Sequence, residues 1–177
     1  MNMIIWIDGA NGVGKSHVAK KLAKFLADRN AEYVESDQYW IEFLQNDQNN
    51  IFTGFAPYYN QKFLNLLREV LEEKVYNGGK MPIVSVSLVD KLCERELLDY
   101  FEKKNISMLH IILEAKKETI ISRIDNDLIR DKNMREHQKH NVDGQMRYLN
   151  NEYPNVVRIN TEDKTLEEIV DEILTLL

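Results

Sequence analysis

The sequence predicts an α/β fold, a parallel sheet of five strands covered by helices on both faces. Three observations carry that reading. Five short runs rich in β-branched and aromatic residues recur along the chain, separated by segments whose apolar residues fall at helical spacing. A glycine-rich stretch joins the first strand to the first helix, and strands separated by helices imply right-handed βαβ crossovers. With only 7 glycines and 3 prolines, no internal repeat and no linker, residues 1–177 are expected to form one domain.

The opening MIIWI reads as a buried central strand that stops at Asp8 and Gly9. From Lys15 to about Asp28, Val18, Leu22, Phe25 and Leu26 share one helical face. A second strand spans about Glu32 to Glu35 and ends at Ser36 and Asp37. A helix from Gln38 to Leu44, a polar loop and a second helix from about Pro57 to Tyr76 follow. Pro57 suits a first turn there, and Gly78 and Gly79 suit an end. Pro82 to Ser87 reads as the third strand, Asp90 to Lys104 as a helix, and Ser107 to Leu113 as the fourth strand. Lys116 to Asp127 is helical with Ile120, Ile121 and Ile124 inward, and Asn155 to Ile159 is the fifth strand. The last helix has the clearest amphipathic stripe (Leu166, Ile169, Val170, Ile173, Leu174, Leu177), with Thr165 and Glu168 at capping-box spacing.

Composition bounds the function. No apolar run approaches the roughly 18 residues of a membrane-spanning helix, and the N-terminus lacks a signal-peptide pattern, so a cytoplasmic protein is expected. The net charge of −6 argues against broad binding to nucleic acid or anionic lipid. The single cysteine, Cys93, suits a reducing compartment and reads as a half-buried small hydrophobe.

Gly9-Ala10-Asn11-Gly12-Val13-Gly14-Lys15-Ser16 matches GxxxxGK[ST] between a predicted strand and a predicted helix. Glycines let the backbone wrap so that several N–H groups meet one anion, and the helix N-terminus adds its positive end. Gly9, Asn11, Gly12, Val13 and Gly14 are therefore candidate nucleotide-binding residues. Lys15 is expected to reach the β- and γ-phosphates, and the Ser16 hydroxyl to complete a Mg²⁺ shell. His17 is either a further nucleotide contact or a solvated helix residue. Asp8 either supports the metal or structures the loop.

These residues, with IVSVSL (83–88), HIILEAKKETIISRI (110–124) and INTEDKTLEEIVDEIL (159–174), make the chain resemble the small P-loop kinases of the nucleotide, shikimate and gluconate type. It looks most like the tunicamycin-resistance ATP-binding protein family. The resemblance implies a three-layer αβα P-loop NTPase with strand order 2-3-1-4-5. It implies Mg·ATP as cofactor, an acceptor region at about 37–59, a lid at about 128–141 and an adenine loop at Asn160 to Asp163. It also implies a small phosphate acceptor, nucleoside-like or antibiotic-like, with antibiotic resistance as one role. Neither nucleic acid nor membrane is an expected partner, and the state is monomer or homodimer.

The residues add their own weight. Between Leu128 and Arg147, five basic residues (Arg130, Lys132, Arg135, Lys139, Arg147) face three acidic ones (Asp131, Glu136, Asp143), a sign reversal that suits gathering phosphates or an ordinary charged surface. Arg130 and Arg135 are the candidates for clamping the transferred group, and Arg123 for reaching back to ATP. Asp37 can activate an acceptor hydroxyl, hold Mg²⁺ through water, or cap a helix. The aromatics Trp40, Phe52, Phe55, Tyr58 and Tyr59 either stack on an acceptor or pack two helices.

Three departures from related kinases stand out: Ser85, Val86 and Ser87 in place of an Asp closing the third strand, Asp127 where a second arginine often follows Arg123, and no paired arginines in the acceptor region. The leading expectation is a kinase with Lys15, Asp37, Arg130 and Arg135 as its catalytic residues. The alternative is a nucleotide-binding protein that sequesters a drug or partner with slow or no transfer.

Overall fold

A computed structural model describes residues 2–46 and 59–177. Its elements run β1 (Met3–Gly9), α1 (Lys15–Phe25), β2 (Ala31–Glu35), α2 (Ser36–Asn46), α3 (Gln61–Tyr76) and β3 (Met81–Ser85). A composite helix follows as α4 (Lys91–Cys93), a π-helical stretch (Glu94–Leu98) and α5 (Asp99–Lys103). Then come β4 (Ser107–Glu114), α6 (Lys117–Asp125), α7 (Lys132–Glu152), β5 (Val157–Asn160) and α8 (Leu166–Leu174). The sheet is parallel throughout, in the order β2-β3-β1-β4-β5, as the resemblance implies.

Strand alternation divides the core. Ile5 and Ile7 of β1 face α1, α6 and α8, where Leu22, Ile120, Ile124, Ile169 and Ile173 complete one hydrophobic layer. Ile4 and Trp6 face the other way, onto Leu67 and Leu71 of α3, Phe101 of α5 and Leu149 of α7. Side chains this fully buried each contribute about 1.5–3 kcal/mol of transfer free energy. Because α7 gives Val142 to one layer and Leu149 to the other, it crosses the carboxyl end of the sheet, directly above the end of β1.

Several boundaries differ from the sequence expectation. The first helix ends at Phe25, whose side chain is 53% exposed, and a 3₁₀ turn at Ala27–Arg29 turns the chain into β2. Leu26, not Phe25, closes that face because the turn folds it back onto the core. Helix α3 begins at Gln61, where the Asn60 side chain accepts the Phe63 N–H at 3.1 Å. Pro57, the expected first turn, lies outside the described residues, as do Phe52, Phe55 and Tyr58 of the aromatic group. Strand β3 leaves the ladder after Ser85, which pairs with Ile7, two residues before β1 ends at Gly9. The fifth strand is Val157–Asn160, shifted toward the C-terminus of the expected run, and α6 stops at Asp125. Most of the expected lid segment is helical, being the first turns of α7. Cys93 is fully buried, deeper than expected, and burial pushes its thiol up to about 12. The Thr165–Glu168 capping box forms as the spacing predicts. Among the described residues no helix is long and apolar enough to cross a membrane.

Candidate active site

The glycine loop lies at the carboxyl edge of the central strand, where parallel α/β sheets place their ligands. Gly9 has φ 140°, and a Cβ there would sit 2.7 Å from the Leu113 carbonyl oxygen, so the loop can pass this close to β4 only with glycine. Gly14 caps α1 from the left-handed region at φ 109° and brings no side chain to the helix end. The first amides of α1 thus keep their N–H groups for an anion.

Lys15 folds back over the loop, its Nζ donating to the Gly9 oxygen at 2.9 Å and the Ala10 oxygen at 3.0 Å. Burial lowers its pKa to about 8; the carboxylates of Asp8 and Asp37 oppose that shift, and the Arg130 guanidinium adds to it. These couplings bring Lys15, Asp37 and Arg130 within electrostatic reach of one another. Asp37 is exposed in the first turn of α2, which starts one residue earlier at Ser36, so it does not serve as that helix's N-cap.

Beside the loop runs a row of hydroxyls. Ser16 Oγ lies 3.4 Å from Ser85 Oγ, which meets the Tyr33 hydroxyl at 3.0 Å, and the Ser36 hydroxyl donates to the Ser85 carbonyl oxygen at 2.9 Å. Burial pushes the Tyr33 phenol up, keeping it a neutral donor. Hard oxygen donors of this kind fit Mg²⁺.

Asp8 is fully buried and committed to the protein. Its Oδ1 accepts the Gly9 N–H at 2.6 Å and the Leu88 N–H at 3.2 Å, and Oδ2 takes His110 Nε2 at 3.0 Å. The Ser87 hydroxyl donates to the Gly9 oxygen at 3.0 Å. Of its two expected roles Asp8 performs loop structuring, and residues 87–88 stay beside β1 through these bonds after the ladder ends.

Arg123 spans from α6 to the nucleotide edge. Its Nη1 donates to the Val13 oxygen at 3.1 Å and Thr161 Oγ1 at 3.0 Å, and its Nη2 to the Thr161 oxygen at 3.1 Å. It therefore ties the phosphate loop to the segment expected to hold adenine. Arg130 pairs with Asp127, and Arg135 donates to the carbonyls of Asp127 and Arg130 at 3.0 and 2.7 Å. Both expected clamps are bound within their own segment, 127–135. Lys139 is likewise paired, with Asp125 and Glu136. His17 is exposed on α1. Trp40 stacks on Phe43 at 5.6 Å and meets Phe63 edge-on at 5.0 Å, so it packs α2 onto α3, whereas Tyr59 is exposed.

Five further residues were given no role in the site by the sequence: His110 beneath Asp8, Tyr33 and Ser85 beside Ser16, Thr161 under Arg123, and Gln145, whose Oε1 accepts the Asn11 N–H at 2.8 Å. A β2–β3 pairing register would have placed Tyr33 near Ser85; the other three depend on long-range packing.

Residues 11–177 match the family model of shikimate kinase. Among solved structures, the tunicamycin resistance protein of Deinococcus radiodurans superposes with TM-score 0.77 at 22% identity, covering 99% of this chain and 95% of its own. A gluconokinase from Sinorhizobium meliloti 1021 gives 0.66 at 17% identity over 98% and 90% of the two chains. A sugar kinase from Janibacter sp. HTCC2649 gives 0.68 at 18% identity over 99% and 94%. At such identities these structures speak for the fold. A comparison with curated proteins found no match.

Proposed function

This chain belongs to the shikimate kinase family and is an ATP-dependent small-molecule kinase, and on that premise we propose that it moves the ATP γ-phosphate to a hydroxyl of a small, nucleoside-like or antibiotic-like acceptor. The observation that carries the proposal is the glycine loop itself, with Gly14 leaving the first amides of α1 uncapped and Lys15 folded over it at 2.9 and 3.0 Å. Loop amides and Lys15 hold the β- and γ-phosphates, and Gly9, Asn11, Gly12, Val13 and Gly14 shape their cradle. Arg123 borders the adenine, and His17 lies at the exposed rim of the same helix. Asp37 takes the proton of the acceptor hydroxyl as its oxygen bonds to Pγ and the bond from Pγ to the ADP oxygen breaks. Arg130 and Arg135 leave their present partners to meet the transferring group. Ser16 and Asp37 would hold Mg²⁺, which when bound neutralises charge on the phosphate oxygens.

The domain reading extends this proposal: residues 1–177 act as one unit, with acceptor entry at about 37–59, a lid at about 128–141, and work in the cytoplasm as monomer or homodimer. The nucleoside-like or antibiotic-like acceptor draws support from the fold shared with a tunicamycin resistance protein. The test is transfer of labelled γ-phosphate to a panel of hydroxyl compounds. Transfer to at least one, abolished by Asp37→Asn, is expected. Tight ATP binding with no transfer to any would favour the sequestering alternative, for which the Asp127–Arg130 pair speaks.

A further inference from the structure

We infer that Gln145 is a positioning residue for Lys15, acting through the peptide that joins Ala10 to Asn11; the inference rests on the phosphate-loop reading above. Gln145 lies past the middle of α7, only 6% exposed on a helix with a largely polar surface. Its Oε1 accepts the Asn11 N–H at 2.8 Å, a contact spanning 134 residues of sequence. The chain has no cis peptide among the described residues, and in a trans peptide the N–H and C=O point in opposite directions. The carbonyl of this plane is that of Ala10, which accepts Lys15 Nζ at 3.0 Å and the Val13 N–H at 3.2 Å. Fixing the Asn11 N–H toward α7 therefore aims the Ala10 oxygen at the lysine.

The plane has one local tie, the Val13 N–H on the Ala10 oxygen at 3.2 Å, and Gln145 supplies a second on its N–H side. A cavity of about 310 Å³, lined by Ala10, Ile120, Met146 and Leu149 among others, lies between α7, α6 and the end of the sheet. Beside that space the hydrogen bond joins α7 to the loop. Helix α7 also carries Arg135 in its first turn, about 15 Å along the axis from Gln145 at 1.5 Å per residue. One rigid element thus connects the lid cation to the peptide that parks Lys15.

The test pairs two variants of the full chain. Gln145→Met keeps side-chain length but loses the acceptor; Gln145→Glu keeps the acceptor. The methionine variant is expected to lower kcat for ADP formation from ATP about tenfold while KM for ATP moves less than about threefold. Its Lys15 is expected to react with acetic anhydride several times faster by mass spectrometry, with Lys139 unchanged as internal control. The glutamate variant should restore slow Lys15 labelling. Wild-type labelling rates in the methionine variant would overturn the inference, as would equal loss in both variants with a lowered Tm, which marks a packing role. If the wild-type chain neither binds nor turns over ATP, the phosphate-loop reading falls, and Lys15 labelling still judges Gln145 by itself.

Discussion

The phosphate loop and the proposed lid turn both carry positive charge, yet they are built in opposite ways. The loop is backbone: Gly9 and Gly14 in conformations other residues resist, free helix amides, and a lysine parked on two carbonyls. The lid is side chain: Arg130 on Asp127, Arg135 on two carbonyls, Lys139 between Asp125 and Glu136. The first has its backbone prepared before a ligand arrives, and only the lysine has bonds to exchange. On the proposed reading the second must give up its own pairs before its arginines can meet an anion.

Removing the loop's charge should have the largest effect. Lys15→Ala is expected to cut phosphoryl transfer about 10²–10³-fold, the range seen when one preorganised donor is lost. Transfer and nucleotide affinity both kept at wild-type level would end the assignment of the loop as the prepared partner. Straining its backbone comes next. A side chain at Gly14 is forced into the left-handed region at φ 109°, a cost of about 1–2 kcal/mol, so Gly14→Ala should weaken ADP binding about tenfold in titration calorimetry.

Proton loss offers a milder way to discharge the same loop. Lys15 in the empty site loses its proton near pH 8, and a phosphate needs it back, so ADP affinity should be flat below pH 8 and fall up to about tenfold by pH 9. The sign for stability is the reverse. Between about 8 and 10.5 the unfolded chain holds the Lys15 proton that the folded chain has released, so this group's contribution stabilises the folded state as pH rises. A Lys15→Met chain should lose the pH step in affinity.

The lid should respond the other way, and least. Asp127→Asn releases Arg130 from its pair, which is expected to raise transfer about threefold and to let a non-hydrolysable ATP analogue protect the amides of residues 128–141 at lower concentration. Slower transfer in this variant would mean that the pair organises the lid for closure, erasing the contrast drawn above.

The loop, the stripe of the last helix and the capping box were legible because each rests on near neighbours: a β-branched run before glycines, an apolar stripe, Thr165 three residues before Glu168; the strand order came from the family resemblance, not from any local pattern. Asp37 and Arg130 were legible as candidates, and their nearness to Lys15 came from the fold. Phe25 misled because its spacing is helical while the 3₁₀ turn after it swings Leu26 inward instead. The lid's cations were visible as a local excess of charge, but their partners were not. Asp127 sits three residues from Arg130 and reads equally well as solvated surface until the turn brings them together.

Residue types at fixed spacing were enough to specify a phosphate-binding loop between a strand and a helix, because φ, hydrogen-bond direction and helix caps depend on a few adjacent residues. How that loop is held is another matter. Gln145 on Asn11, His110 on Asp8 and Ser85 beside Ser16 join residues 134, 102 and 69 positions apart. Those contacts exist only because the sheet and α7 close the intervening chain around one point, and no local pattern encodes which distant polar group a buried amide or carboxylate will meet.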